Sequence, residues 1–376
     1  MRKKLLGLAC LMLSAVLVLA GCGANTASSG GGSDSGSGGG GELTKGTIGV
    51  ILPETATSAR WEGFDKPMLK AALNKRGYKA DIQNAQGEVD KFVTLAQGMI
   101  AKGVDVLIIA AINSKVGNTV TAQAKKAGIP VIDYDRLVTG GTSKNYYVSF
   151  DNVRVGELQG EALKKALADK QGAEVIEIEG APTDNNAHLF KKGQRNILQP
   201  LYDSGKLQLV DSQMIKNWDN QKGGKVFEQM LTANGGTIDG VVAANDGLAG
   251  AVITVLKKYG LAGEVPVTGQ DATPAGLRAV LRGTQYMTVF KEIKKEAEAA
   301  AKLAAALAKG DKAKADKIAS EVTIDPKTGE KVSSVLLQPQ AITKENVKIV
   351  VEKGYVKAGE ICGGDLKATC AELGIS

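Results

Sequence analysis

The stretch from Val104 to Tyr134, VDVLIIAAINSKVGNTVTAQAKKAGIPVIDY, decides the fold. It begins with a continuous apolar run, Val104–Ala110, and passes into an amphipathic segment, Val116–Lys126. After Gly128 it returns to a second short apolar run, Pro130–Tyr134. Strands that are buried on both faces and separated by a helix are typical of a parallel sheet with helical crossovers.

The same alternation extends in both directions along the chain. It predicts further strands at Thr47–Leu52, Lys79–Gln83, Tyr146–Phe150, Glu174–Glu179, Leu207–Asp211, Gly240–Ala244, Val265–Gly269 and Thr284–Val289. It predicts helices at Trp61–Arg76, Asp90–Ala101, Val155–Ala166, Asn186–Leu198, Gln221–Leu231, Leu248–Tyr259, Pro274–Arg282 and the alanine-rich Ile293–Lys309. Because 376 residues exceed one ordinary core, we predict an α/β protein with two doubly wound parallel-sheet lobes.

The first residues have the pattern of a bacterial lipoprotein leader. Met1–Lys4 is basic, Leu5–Ala20 is almost entirely apolar, and Leu19-Ala20-Gly21-Cys22 places small residues before a cysteine. The apolar run is shorter than the roughly 20 residues that cross a membrane as a helix, which disfavours a transmembrane anchor. We predict a signal peptide over residues 1–21 and lipidation of Cys22, which would hold the protein at the membrane.

A glycine-rich segment, Gly23–Gly41, follows this leader. Nine of its nineteen residues are glycine, and such a composition does not bury enough apolar surface to fold. Residues 22–43 are therefore predicted to tether the folded part to the membrane. Removal of the leader lowers the formal charge from +7 to +4, a surplus too small to indicate nucleic acid binding.

The composition excludes several kinds of catalytic site. With one histidine, His188, and four cysteines, a histidine-based zinc site or a Ser-His-Asp triad is disfavoured, and we predict no metal and no cofactor. His188 itself is interpreted as a solvated or packing residue. Cys362 and Cys370 are the two cysteines of the folded part, and an exported chain most simply joins them in a disulfide.

Polar and aromatic residues stand at the carboxyl ends of the predicted strands, where open α/β sheets bind their ligands. Three of them are carboxylates and three are cations, a balance that suits a neutral polyol better than a phosphate or an amine. Both tryptophans of the chain are in this set, and a flat ring can stack on the C–H face of a sugar. The ten candidates are Arg60, Trp61, Asp135, Arg136, Asp184, Asn186, Trp218, Asn245, Asp271 and Lys291.

Each candidate also has a purely structural interpretation. Asn245-Asp246-Gly247 fits a turn and helix cap, Asp184 with the asparagines after it fits an N-cap cluster, and Arg136 fits a surface ion pair. Either tryptophan could pack a corner at the end of a strand.

An ordered set of motifs resembles the type I periplasmic sugar-binding proteins of bacterial ABC transporters, and within that family its D-xylose-binding members. The matching stretches span about residues 47 to 340: Arg60-Trp61, Gly103–Leu107, Tyr134-Asp135-Arg136, Ser149–Asn152, Val155–Gln159, Asp184–Ala187, Ala244-Asn245-Asp246, Gly269–Ala272 and Thr284–Val289. Departures from the xylose-binding pattern are the long tether, the cysteine-bearing tail after about Val356, and Pro53-Glu54-Thr55 before Arg60.

The resemblance implies two lobes joined by three hinge crossovers, with a sugar enclosed between them. The crossovers would lie near Asp151, near Phe290-Lys291 and near Leu337–Pro339. The N-terminal lobe would comprise residues 44–151 and 292–337, and the C-terminal lobe residues 152–291 and 338–376. Carried over position by position, the family's sugar ligands are the ten candidates above, with Trp61 as a stacking face.

The function that the resemblance implies is capture of a monosaccharide by hinge closure and delivery to an ABC permease, by a monomer without enzyme activity. D-xylose is the expected sugar, and a binder of glucose, galactose and arabinose is the alternative. A second hypothesis is an extracytoplasmic sensor that signals through a chemoreceptor or histidine kinase. A third, a glycoside hydrolase, is disfavoured because nearby cations keep the pKa of the candidate carboxyls low. A repressor of this fold would need a helix-turn-helix before Thr47, where the sequence has a leader and a glycine-rich segment.

Overall fold

The computed structural model describes residues 45–141 and 145–375. The predicted signal peptide of residues 1–21, the predicted tether of residues 22–43 and Cys22 lie outside the described residues. Glu42–Ser376 form one compact unit. The hydrophobic cores of both sheets lie inside this unit, so it has the buried apolar surface that it needs to fold by itself. The search of the described residues finds no helix with the length and apolar character of a membrane span.

The strands of the described residues are short, and most are followed by a helix. In chain order they are β1 (Thr47–Leu52), β2 (Lys79–Asn84), β3 (Val106–Ile109), β4 (Val131–Tyr134), β5 (Tyr146–Phe150), β6 (Ala173–Glu179), β7 (Leu207–Met214), β8 (Gly240–Ala243), β9 (Thr288–Phe290), β10 (Glu321–Ile324), β11 (Lys331–Leu337) and β12 (Gln340–Ile342).

The α-helices pack on both faces of the sheets. They are α1 (Lys66–Asn74), α2 (Val89–Ala101), α3 (Ser114–Lys126), α4 (Asn152–Ala166), α5 (Asn185–Asp203), α6 (Asn220–Ala233), α7 (Asp246–Lys258), α8 (Pro274–Arg282), α9 (Ile293–Leu307), α10 (Lys312–Ile318), α11 (Lys348–Glu352), α12 (Ala358–Ile361) and α13 (Lys367–Glu372).

The N-terminal lobe is built on a seven-stranded sheet in the order β10-β11-β5-β4-β3-β1-β2. Only β10 is antiparallel to its neighbour. Alternate side chains of the central strands point to opposite faces, so Val106 and Ile108 pack with α1 and α9, whereas Leu107 and Ile109 pack with α2 and α3. This double burial explains the continuous apolar runs of the sequence.

The C-terminal lobe is built on a smaller parallel sheet in the order β7-β6-β8. Ile176 and Ile178 pack with α6 and α7 on one face, and Val175 packs with α4 and α5 on the other. The predicted strand Val265–Gly269 is reduced to two isolated parallel bridges, one between Val267 and Val241 of β8 and one between Val265 and Ala262.

The chain crosses between the lobes three times. It leaves β5 for α4 at Asp151, leaves β9 for α9 at Lys291, and leaves β11 for β12, which pairs antiparallel with β9. The predicted fold class, two doubly wound parallel-sheet lobes joined by three hinge crossovers, is confirmed. A further hydrophobic cluster lies beside the crossovers. It joins α8 and the C-terminal helices α11 to α13 to Phe150 and Phe290.

One local departure from the predicted helices lies beside the cleft. Trp61–Arg76 was expected as one α-helix, but its first turn, Trp61–Asp65, is a wider π-turn that leads into α1. Such turns are frequent at functional sites because they re-aim the side chains around them.

Candidate functional site

All ten candidate residues line one cavity between the lobes, which we call the central cavity. About 360 Å³ of space free of protein atoms lies between its walls, and this figure includes space that is open to solvent. It lies at the carboxyl ends of β1, β4, β6 and β8, where the sequence predicted a ligand crevice. Its lining residues are Arg60, Trp61, Asp135, Arg136, Asp184, Asn186, Trp218, Asn245, Asp271 and Lys291, together with Glu54, Thr57, Ser58, Phe190 and Gln270.

Arg60 is the centre of a buried network in the N-terminal lobe. Its Nη1 donates to Asp135 Oδ2 at 2.7 Å, and its Nε and Nη2 donate to the two carboxylate oxygens of Asp65 at 2.9 and 2.8 Å. Nη2 also donates to Glu296 Oε2 at 3.0 Å, and Tyr134 donates its hydroxyl to Asp65 Oδ1 at 2.7 Å. The Arg60 guanidinium is therefore fixed by three carboxylates.

The protonation of this network is set by burial and by the cations within it. Burial alone would raise the pKa of Asp135, but the charges of Arg60, Lys291 and Arg136 outweigh it and hold this pKa well below its ordinary value. Burial, and next the negative charge of Asp135, raise the pKa of Glu296 well above its ordinary value. Asp135 thus presents an ionised carboxylate to the cavity, while Glu296 is the carboxyl of the network that takes up a proton most readily.

The backbone is left-handed at three of the candidate residues. Asp135 has φ 61°, Trp218 has φ 56° and Asp271 has φ 95°, and these are three of the six non-glycine residues with positive φ in the described ranges. Such conformations cost of order 1–3 kcal/mol each and concentrate at functional sites. At Asp135 the strain is held in place because its carbonyl oxygen accepts from Ser149, Tyr147 and Asn186 at 2.9, 3.0 and 2.8 Å.

Two side chains of the C-terminal lobe are positioned as helix caps. Asp184 Oδ1 accepts from the backbone N–H of Asn186 at the start of α5, and Asn245 Oδ1 accepts from the N–H of Leu248 at the start of α7. The other oxygen of Asp184 accepts from Trp218 Nε1 at 3.1 Å and pairs with Arg136 Nε at 3.0 Å. The cap interpretation of the sequence is therefore correct for both residues, and each of them also lines the cavity.

The two indole rings stand on opposite lobes. The Trp61 ring lies next to the guanidiniums of Arg60 and Arg136, with ring-centre distances of 4.5 and 5.3 Å. The Trp218 ring packs edge-on against Phe190, and a Cβ at Gly180 would collide with it. Trp218 thus also packs a strand-end corner, as the structural interpretation expected.

Lys291 lies on the second crossover and reaches both lobes. Its Nζ is 3.6 Å from Asp135 Oδ2 of the N-terminal lobe and 3.3 Å from Asp271 Oδ1 of the C-terminal lobe. Direct contacts between the lobes beside the cavity include the Arg136–Asp184 ion pair and the hydrogen bond from Asn186 Nδ2 to the carbonyl of Asp135. Asn220 Nδ2 also donates to the carbonyl of Thr57 at 3.3 Å, so the lobes meet through candidate residues and through others.

Several buried polar atoms of the cavity wall have no hydrogen-bond partner within the described part of the chain. They are Glu54 Oε1, Ser58 Oγ, Trp61 Nε1, Gln270 Oε1 and Asp271 Oδ1. Asp271 Oδ1 is within ion-pair distance of Lys291 but not in hydrogen-bond geometry. A buried polar atom without a partner costs about 1–3 kcal/mol, so this wall suits a ligand rich in hydroxyl groups.

Sequence reasoning missed the residues that support or complete the wall. Asp65 and Glu296 lie 5 and 236 residues from Arg60, and the sequence analysis gave neither a role. Phe190 lies three residues after the motif Asp184–Ala187, whereas Gln270 lies inside the motif Gly269–Ala272 and directly precedes Asp271, which was the signal available.

The remaining candidates lie away from the cavity. His188 is exposed, and its Nε2 lies 2.9 Å from the carbonyl of Pro182. The Sγ atoms of Cys362 and Cys370 lie 2.09 Å apart in the C-terminal tail. A search of residues 45–141 and 145–375 finds no cluster of metal-ligating side chains.

Comparison with known protein families identifies the family to which this chain belongs. Residues 48–312 match the family described as "Periplasmic binding protein domain". The chain belongs to this family of periplasmic binding proteins. This binding protein is 39% identical over 303 residues to the "D-xylose-binding periplasmic protein" of Escherichia coli K12, which covers 80% of this chain and 88% of that one.

Other relatives carry other sugars in their names. The "Multiple sugar-binding periplasmic receptor ChvE" of Rhizobium radiobacter is 35% identical over 334 residues, covering 84% of this chain and 92% of that one. A crystal structure of an ABC transporter solute-binding protein from Clostridium phytofermentans with bound β-D-glucose matches with a TM-score of 0.75 and 30% identity, covering 84% and 99%. This binding protein is therefore a sugar-binding member of the ABC transporter solute-binding proteins, which are extracytoplasmic binders and not enzymes.

Proposed function

We propose that this binding protein is a membrane-anchored lipoprotein that captures one monosaccharide, D-xylose, by closure of its two lobes and delivers it to an ABC permease. In this proposal the lobes comprise residues 44–151 with 292–337 and residues 152–291 with 338–376. Lipid on Cys22 retains a monomer at the outer face of the cell membrane, and a Cys362–Cys370 disulfide secures the tail.

The observation that carries the proposal is the wall of the central cavity. It combines three cations, four carboxylates including Glu54, and unpaired buried polar atoms in one cavity. A neutral sugar both donates and accepts hydrogen bonds at each hydroxyl, so it can satisfy such a wall without bringing a charge into it. The ten candidate residues are the proposed sugar ligands, with Trp61 and Trp218 as apolar faces.

Closure follows from the division of these ligands between the lobes. Arg60, Trp61, Asp135 and Arg136 belong to the N-terminal lobe, whereas the other candidates belong to the C-terminal lobe or, for Lys291, to a crossover. A sugar that contacts both sets binds the closed arrangement more tightly than an open one and shifts the population toward it. The closed lobes would then be the form that a permease recognises.

The sugar is the part of the proposal that the relatives leave open, because their names include xylose, glucose and several sugars together. A multi-sugar binder is the second candidate, and Glu54 is the observation that favours it. Glu54 lines the cavity, its Oε2 accepts from the N–H of Thr57 at 2.7 Å, and its Oε1 has no hydrogen-bond partner among the described residues. D-glucose carries one hydroxymethyl group more than D-xylose, and a free carboxylate oxygen could accept from it.

A thermal-shift and calorimetric series on the unit from Glu42 tests both candidates, with D-xylose, D-glucose, D-galactose, L-arabinose and D-ribose. We expect D-xylose to give the largest rise in melting temperature, and comparable rises with D-glucose would favour the multi-sugar binder. Trp218→Ala and Asp271→Ala should each abolish the response, whereas His188→Ala should retain it. If no monosaccharide raises the melting temperature of the unaltered unit, the proposal is wrong.

A further inference from the structure

A second concave surface lies at the other end of the strands of the N-terminal sheet from the central cavity. We call it the basic pocket, and it holds about 570 Å³ of open space. Lys45 stands two residues before β1 and Tyr78 one residue before β2, so the pocket is at the amino ends of the strands, whereas the central cavity is at their carboxyl ends. Its lining residues are Lys45, Arg76, Tyr78, Lys302, Ala305, Ala306, Lys309 and Lys314.

Five of these eight side chains are cationic, and none of the eight is a carboxylate. None of the five forms an ion pair within residues 45–141 and 145–375. Lys45 Nζ donates to the carbonyl of Arg76 at 3.1 Å, and Arg76 Nη1 donates to the carbonyl of Ala72 at 2.8 Å. Lys302, Lys309 and Lys314 are exposed.

Neighbouring negative groups do not neutralise this charge. Asp105 accepts from the backbone N–H of Thr47 at 2.8 Å, and Asp311 accepts from the N–H of Lys314 at 3.0 Å. The carboxyl ends of α1 and α9 are close in sequence to these cations and each contributes about half a negative charge. Five full positive charges still exceed these terms, so helix-end stabilisation accounts for only part of the cluster.

The position of the basic pocket on the chain points to its partner. Lys45 is the first described residue, and the 44 residues before it include the predicted lipid attachment at Cys22 and the glycine-rich segment. For the nineteen residues of the predicted tether, Gly23–Gly41, the random-coil relation gives a root-mean-square span of about 25 Å. The pocket is therefore the cationic surface nearest to the predicted anchor along the chain, and it is within reach of a bilayer whose anionic lipids attract basic residues.

We propose that the basic pocket binds the phosphate headgroups of anionic lipids. This contact would hold the amino ends of the strands of the N-terminal sheet against the membrane. Such contact needs no additional domain or cofactor, because the electrostatic attractions of several basic residues to an anionic surface are roughly additive. The proposal does not depend on the identity of the sugar.

The test is vesicle flotation of the unit from Glu42 without a lipid anchor. Vesicles of mixed phosphatidylglycerol and phosphatidylcholine are compared with vesicles of phosphatidylcholine alone. We expect binding to the mixed vesicles only, weakening as salt is raised. The triple variant Lys302→Ala, Lys309→Ala, Lys314→Ala should bind the mixed vesicles on the order of a hundredfold more weakly, the combined effect of three basic residues at an anionic surface.

A charge-matched control separates the pocket from the net charge of the unit. Lys164→Ala, Lys225→Ala, Lys257→Ala removes the same charge from exposed helical positions of the C-terminal lobe. It should keep its vesicle binding within about threefold, since these lysines are outside the pocket and screening limits their reach. Equal losses in the two triple variants, or no binding by the unaltered unit, would overturn the proposal.

A third arm distinguishes a lipid headgroup from free phosphate. Chloride is replaced by inorganic phosphate at constant ionic strength, and both flotation and melting temperature are measured. If free phosphate displaces the unit from vesicles and raises the melting temperature of the unaltered unit but not of the pocket variant, the pocket is a free-anion site and the membrane proposal fails. The sugar response is measured on every variant, so failure of sugar binding would be seen separately from failure of vesicle binding.

Discussion

The two halves of the central cavity hold their side chains by different means. In the N-terminal half, Arg60 and Asp135 are fixed by ion pairs inside a buried network that extends to Asp65 and Glu296. In the C-terminal half, Asp184 and Asn245 are fixed as caps of α5 and α7. A helix cap accepts a hydrogen bond from the backbone of a single helix, whereas the charge network joins elements that are far apart in sequence.

This difference predicts different responses to mutation. Removal of one charge from a buried network leaves its partners uncompensated, so stability and ligand affinity should fall together. A cap can be replaced by another capping residue, so stability can be kept while the group that faces the ligand is changed. Four experiments test this contrast.

The largest effect is expected from Arg60→Met. The substitution keeps much of the side-chain volume but leaves Asp65, Asp135 and Glu296 without their shared cation, and the loss should be about 3–5 kcal/mol of unfolding free energy. Guanidinium unfolding measures it, and calorimetry should show no sugar binding. Arg136→Met is the control, because Arg136 pairs with one carboxylate and should cost clearly less stability. Equal costs would contradict a network centred on Arg60.

Glu179→Gln examines a buried carboxyl of the C-terminal lobe that lies beside a second carboxyl, Glu177, and for which no ion pair is found among the described residues. Burial, and next the charge of Glu177, raise the pKa of Glu179 to about 8. A pKa raised on folding favours the folded state below about pH 4.5, and this contribution is lost as the pH rises toward 8, on the order of 3 kcal/mol at pH 7. The variant should therefore gain stability over the unaltered protein as the pH rises from 5 to 8.

Paired unfolding curves at the two pH values measure this difference. Other titrating groups are common to both proteins and cancel in the comparison. Glu264→Gln is the control for the removal of one negative charge, because Glu264 is exposed. A constant difference between the Glu179→Gln and unaltered proteins would show that Glu179 does not titrate in this range.

Two substitutions at Asp184 separate its roles as cap and as ligand. Asp184→Ala removes the cap of α5 and should cost about 0.5–2 kcal/mol, whereas Asp184→Asn keeps a capping oxygen and should cost less. Both variants lose the ion pair with Arg136, so both should bind sugar at least tenfold more weakly in calorimetry. If Asp184→Asn lost as much stability as Asp184→Ala, the cap would not be what positions this half of the site.

Glu54→Gln should have the smallest effect on stability, within about 0.5 kcal/mol, because its oxygen toward Thr57 is kept as an amide oxygen. Its effect should appear in the ratio of affinities for D-glucose and D-xylose, measured by calorimetry. A change confined to D-glucose would place the extra hydroxymethyl group beside Glu54. An equal change for both sugars would show that Glu54 does not distinguish them.

The sequence was most informative where strands are buried on both faces. Val104–Ala110 could be predicted as a strand because a continuous apolar run has few other uses in an α/β protein. Val265–Gly269 contains Pro266, which has no N–H to donate, and it forms isolated bridges instead of a continuous ladder. The exposed residues Val322 and Ile324 of β10 gave no core signal, since this edge strand packs little of its surface.

The site could be predicted to the extent that its residues follow strands directly. Asp135 comes one residue after β4 and Asn245 two residues after β8. Both were found because open α/β sheets bind their ligands at the carboxyl ends of strands. Glu296 lies inside α9, in a stretch of alanine, lysine and glutamate that predicts only a helix, and its role depends on an ion pair across 236 residues. Pairings over such distances have no local pattern, so the buried network required the structure.

Both tryptophans of the chain lie in the wall of the central cavity, one on each lobe. The intrinsic indole fluorescence of this protein therefore originates entirely from the site. Trp61 lies beside two guanidiniums and Trp218 beside an aspartate, so a bound sugar would change the polarity around both fluorophores. The unmodified chain thus carries its own optical probe of occupancy, and stopped-flow emission could time capture and release without any label.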